Sequence, residues 1–218
     1  MTGLSRDFFL TRMTTLKQAY VNFGLNIEDS GAMVTWYEQF SGFPNETFDF
    51  IVKCFIRTNR YPPMSPFDLK DSLIQYLKGT IDSNCSQMFM WVYGCIVKYD
   101  LAYRKDNQEK FMNAIRNTYG ETAYRTWFRC GSYIMCEFPD MSRMGEIWSR
   151  YYKEESEGVA VALYNKCGKE RLSTEMMLRL AKVPLLDKTQ EELRRLIDNG
   201  KPEAIGDSHP REIPGSKK

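Results

Sequence analysis

Segment after segment of this chain spaces its apolar residues as an α-helix requires, with no convincing run of the alternation a strand needs. Phe9, Met13, Leu16, Tyr20 and Phe23 fall at i, i+4, i+7, i+11 and i+14, one stripe on one helix face, with Gly24 as the expected stop. Asp29 is the expected N-cap of a second helix that buries Met33, Trp36, Tyr37 and Phe40 and ends at Gly42. A third starts near Pro44-Asn45-Glu46, with Phe48, Ile51, Val52 and Phe55 inward. Pro62-Pro63 stops it, because Pro62 disfavours helical geometry at Tyr61 and neither proline can donate a backbone hydrogen bond. Ser65 as N-cap and Pro66 at the first helical position open a fourth, with Leu69, Leu73, Tyr76 and Leu77 inward and Gly79 closing it.

A second block follows from Asn84. Its centre is the apolar run 88–97, expected within a buried helix over 87–101. That run is about half the roughly 20 residues needed to cross a bilayer, so membrane insertion is not expected. Asn107 is the expected cap of a helix with Phe111, Ile115 and Tyr119 inward, and Gly120 breaks it. Ala123, Tyr124, Trp127 and Phe128 mark the next, and Gly131-Ser132 and Phe138-Pro139-Asp140 bracket an irregular piece. Met144, Ile147, Trp148 and Tyr151 mark another, running into the polar stretch 153–158. Aromatic residues cease after Tyr164, and twelve Lys and Arg against nine Asp and Glu turn the remainder basic. Leu172, Met176, Met177 and Leu180 form one short amphipathic segment, ending before Pro184; Leu193, Leu196 and Ile197 form another over 189–198. The proline-bearing end from Gly200 is too poor in apolar residues to pack and is expected to be disordered. The fold class is therefore all-α. Residues 1–79 form a four-helix unit, 80–164 an aromatic-rich helical block, 165–199 short amphipathic helices, and 200–218 a tail.

Several chemistries lack their residues. The single histidine, His209, sits beside Pro210 in the tail, so Ser-His-Asp and Cys-His arrangements have no base held in place. Gly168-Lys169 is not a phosphate loop: position 163 is Leu where the motif needs glycine, and Glu170 stands where Ser or Thr would hold a metal. Six cysteines contain no CxxC pair and read as buried small hydrophobes rather than zinc ligands. The acidic pairs Glu154-Glu155 and Glu191-Glu192 read as solvated helix faces. No enzymatic activity and no cofactor are expected. A formal charge of +2 argues against a strongly basic nucleic-acid coat protein. Most aromatics lie on the apolar stripes; Tyr61, Tyr103 and Tyr151-Tyr152 are the candidates for stacking on bases instead.

The first helix with Ala19-Tyr20, the pair Trp36-Tyr37, Phe43-Pro44, and Ile56-Arg57-Thr58-Asn59-Arg60-Tyr61-Pro62-Pro63 followed by Phe67-Asp68-Leu69 resemble a small family of phage proteins that load and inhibit the replicative helicase. The resemblance covers about 9–77, roughly a third of the chain. It implies a helical protein without an ATPase site, one that binds the hexameric helicase, holds it inactive and helps deliver it to the phage origin through an initiator protein. It departs from the family in the inserted block 84–158. By the family's logic the helicase contact lies in the C-terminal region, which makes Met176, Met177, Leu180, Leu193, Arg194, Leu196 and Ile197 the candidate partner-binding residues. Packing of both segments back onto the core is the competing reading. The expected setting is the bacterial cytoplasm, with the replicative helicase as partner, the origin-binding initiator as a further one, DNA contact secondary and no membrane. Rival readings are a DNA-binding replication organiser that uses the basic C-terminal region, and a helical phage assembly protein.

Overall fold

The computed structural model describes residues 3–99, 105–136 and 140–182, and among these it is all-α, with eight helices and no strand. Helix α1 (Arg6–Ala19) is capped by Ser5, whose hydroxyl accepts from the Phe8 amide, and buries Phe9, Met13 and Leu16. Its stripe outlasts it. The helix stops at Ala19 rather than Gly24; Tyr20 takes extended backbone, so its ring stays in the core while its hydroxyl donates to the Asn59 carbonyl at 2.9 Å.

In α2 (Ser30–Phe40) the Asp29 carboxylate accepts from the amides of Gly31 and Ala32, and Met33, Trp36 and Phe40 are buried as expected. Tyr37 is half-buried and donates its hydroxyl to the Leu4 carbonyl. Helix α3 (Asn45–Thr58) turns a broad face inward, burying Phe48, Ile51, Val52 and Phe55. Helix α4 (Pro66–Asp82) starts at Ser65 and Pro66 but runs straight through Gly79, because Leu77 and Ile81 are both held in the core. Tyr76, expected inward, is 40% exposed.

The second half departs further from expectation. Helix α5 spans Cys85–Tyr99 and buries Met88, Phe89 and Val92 on one face, leaving Met90 outward. Helix α6 (Lys105–Cys136) contains Asn107 as an ordinary helical residue, not a cap. It kinks at Gly120, whose φ of 80° belongs to a region that glycine adopts without strain. It then continues through Gly131-Ser132, where an irregular piece was expected; Ala123, Trp127 and Cys130 keep the inward stripe unbroken. Phe128 faces outward at 73% exposure. Phe138 and Pro139 lie outside the described residues.

Helix α7 (Met141–Glu170) is the longest regular element and the spine of the fold, packing against α4, α5, α6 and the short α8 (Thr174–Ala181). It does not fade at the polar stretch 153–158. Trp148, Tyr152, Ser156, Ala160, Tyr164 and Cys167 make a continuous buried stripe, while Lys153, Glu154, Glu157 and Gly158 point outward. Two of its inward hydroxyls find partners on α4: the Ser156 hydroxyl donates to Asp82 at 2.5 Å and the Tyr152 hydroxyl donates to the Ile81 carbonyl. At its far end α7 passes so close to the turn after α2 that a Cβ on Gly42 would lie 2.5 Å from the Gly168 carbonyl oxygen. One contiguous hydrophobic core runs from Leu4 to Ala181.

Candidate functional site

Among the described residues, the corner between α3 and α4 turns three large apolar side chains, Tyr61, Met64 and Phe67, toward solvent within seven positions. Pro62 and Pro63 forbid helix there, and two devices hold the resulting loop in one shape. On one side, the Asp68 carboxylate at the start of α4 accepts from the amides of Met64 at 2.7 Å and Ser65 at 2.9 Å. This belongs to a capping box between Ser65 and Asp68, extended by one residue to Met64, and it places negative charge at the helix N-terminus, where the dipole favours it. On the other, both the backbone N–H and the side-chain amide of Asn59 donate to the Phe55 carbonyl at the end of α3, and the side-chain amide donates to the Thr58 hydroxyl as well. Thr58 and Ser72 bond each other at 3.1 Å, tying the end of α3 to the middle of α4. The Tyr20 hydroxyl adds a third strut, through the Asn59 carbonyl.

Beside this braced loop lies an open depression of about 580 Å³, within the size range of ligand sites. Thr58, Asn59 and Ser72 supply polar groups to it; Tyr61, Met64 and Tyr76 supply exposed apolar surface; Arg60 and Asp71 bring opposite charges. Tyr61 is 75% and Met64 93% exposed, so neither contributes to the core. A preorganised loop that presents an aromatic and a methionine to water is suited to contact with another macromolecule, since little ordering entropy remains to be lost on binding.

No family model, curated protein or solved structure matches this chain.

The candidate contacts in the C-terminal region separate. Met177 is fully buried between α8 and the rest of the core, so its thioether packs the fold. Met176 and Leu180, one helical turn apart, are 43% and 47% exposed and form a small outward strip on α8. Leu193, Arg194, Leu196 and Ile197 lie outside the described residues. Of the tyrosines singled out for stacking, Tyr61 is exposed, Tyr152 is buried, Tyr151 is half-buried with Arg129 and Arg150 over its ring, and Tyr103 lies outside the described residues. Met64 and Tyr76 were not legible as surface contacts. The one available signal for Met64 was its position directly after two prolines, where no regular element can turn it inward.

The described thiols are poor nucleophiles. Burial pushes Cys54 and Cys167 up to about 11 and Cys130 up to about 12. Among the described residues no group of three His, Cys, Asp or Glu side chains could hold a metal ion, and no helix is long and apolar enough to cross a membrane.

Proposed function

We propose that this chain is a stoichiometric DNA-replication accessory protein that binds the hexameric replicative helicase in the bacterial cytoplasm and controls its loading at a phage origin, without hydrolysing ATP. The observation that carries the reading is the α3–α4 corner. The residues on which the resemblance to phage helicase loaders is most specific, Thr58 to Pro63, are those of the braced loop, and its side chains Tyr61 and Met64 are spent on neither core nor capping. Interface hot spots favour such anchors, tyrosine and arginine above all, next to polar groups that fix register. Met176 and Leu180 on α8 offer a second, smaller contact, in keeping with the C-terminal helicase contact that the family's logic implies.

The test is light scattering coupled to size-exclusion chromatography on the full chain mixed with the cognate helicase, with and without ATP. A nucleotide-dependent complex is expected. Tyr61→Ala with Met64→Asp is expected to weaken it at least tenfold while leaving the melting temperature within a few degrees, since neither side chain is buried. Met176→Asp with Leu180→Asp separates the α8 contribution. Absence of any complex with the helicase removes the reading.

A further inference from the structure

A second apolar surface lies between α1 and the stretch that leads into α2, and it shares no residue with the α3–α4 depression. It is a groove of about 250 Å³ with Phe9 and Met33 at its floor and Leu10, Ile27, Val34 and Tyr37 along its sides. Leu10 and Val34 stand 39% and 42% exposed on its two walls. The helix that forms the second wall is poor in charge. Glu38 is the one charged residue of α2, and Ser30, Gly31, Val34, Thr35 and Gln39 make up the rest of its exposed face. Depletion of charge at the centre of an exposed patch is a compositional mark of protein–protein interfaces.

The lining of the groove carries two charges, one of each sign and toward opposite ends. The Arg6 guanidinium lies over the Tyr37 ring, 5.6 Å from its centroid. Glu28 sits just before the N-cap Asp29, about 12 Å from Tyr37 along the α2 axis. Both residues are exposed, and among the described residues neither takes part in an ion pair. A patch with this layout is complementary to itself. A two-fold axis midway between Arg6 and Glu28, perpendicular to the line that joins them, sets Arg6 of each copy against the partner's Glu28. Two ion pairs then close the ends, and Leu10 and Val34, which lie between the charges, meet their equivalents near the axis. We propose that a second copy of this chain docks on the α1–α2 groove about such an axis, covering Leu10 and Val34 in both copies. A patch of this size suits a weak, reversible dimer rather than an obligate one.

This pairing is independent of any helicase contact and is read on the protein alone. Sedimentation velocity on the full chain over about 1–300 µM should show a monomer giving way to a dimer. Leu10→Asp with Val34→Asp, both exposed positions and so compatible with folding, should weaken the dimer by about tenfold or more at an unchanged melting temperature. Arg6→Glu alone and Glu28→Arg alone should each weaken it, because like charges then face each other twice. Mixed together, those two single variants should pair with each other, since the mixture restores both ion pairs. Arg6→Glu with Glu28→Arg in one chain should likewise restore the dimer. A monomer throughout the range overturns the proposal, and so does a dimer indifferent to Leu10→Asp with Val34→Asp. Mixed single variants that pair no better than either alone overturn the two-fold arrangement. A chain that stays monomeric, and whose hydrogen exchange over 27–37 slows only when the helicase is added, overturns it in favour of that partner.

Discussion

The loop between α3 and α4 and the polar stretch in the middle of α7 carry comparable signs that a helix should stop, yet only the first one stops. At 59–65 two prolines remove backbone donors and clash with helical geometry, a cost of about 3 kcal/mol each in a helix interior. At 153–158 the signs are a run of charges and Gly158, and glycine costs only about 1 kcal/mol relative to alanine. Burying one large side chain recovers about 1.5–3 kcal/mol, and α7 buries Tyr152 before the polar stretch and Leu163 and Tyr164 after it. Packing therefore overrides glycine and charge but not tandem proline. The same balance carries α4 through Gly79, α6 through Gly131 and α7 through Gly145 and Gly168. Gly120 is the instructive exception, because there the backbone leaves helical φ/ψ outright.

If packing along α7 is what outweighs its weak local signals, the largest effect should come from removing its best-buried side chain. Trp148→Ala is expected to cost about 3–5 kcal/mol, read from the midpoint of denaturant unfolding at unchanged slope. A loss below 1 kcal/mol would mean that α7 is held some other way. Giving α7 the signal that stops α3 is the direct reversal: Gly158→Pro should cost about 3 kcal/mol or more, although Gly158 is exposed with open space around it. A stability unchanged by that substitution would break the comparison. Gly42→Ala probes the far end of the same helix; its Cβ would press on the Gly168 carbonyl, and a loss of about 1–3 kcal/mol in thermal or chemical unfolding is expected. The smallest effect has the opposite sign. Gly79 is exposed, helical and free of neighbours within 4 Å, so Gly79→Ala should raise stability by about 0.4–1 kcal/mol. Destabilisation there would show that α4 needs the glycine for something other than permissiveness.

The second, third and fourth helices were legible because each combines an apolar stripe with a stop or a start that local chemistry enforces: Asp29 accepting from two amides, Pro66 at the first turn, two prolines after Tyr61; the first showed its stripe but not its ends. Misreadings arose where the inward stripe passes through small or polar residues. Ser156 and Ala160 are as buried as Trp148, yet neither looks like core in a list of apolar residues. The buried Ser156 hydroxyl hydrogen-bonds to Asp82 on another helix, beside its local contact with the Lys153 carbonyl, and no local pattern announces the Asp82 partner. The candidate site was half legible. Tyr61 could be suspected from its place before the prolines, but the Thr58–Ser72 and Asn59–Tyr20 bonds that brace the loop join residues 14 and 39 positions apart.

By itself, then, the sequence determined that this protein is helical, where its second, third and fourth helices begin, and that the chain must break at Pro62-Pro63, because periodicity, capping and the missing proline donor act within a few residues. Only the tertiary structure decided that α4, α6 and α7 run on past their glycines, that Met177 is core while Met176 and Leu180 face outward, and that Tyr61 and Met64 stand over a braced depression. Those outcomes depend on burial against helices distant in the chain, and the free energy of such contacts exceeds the local preferences it overrides.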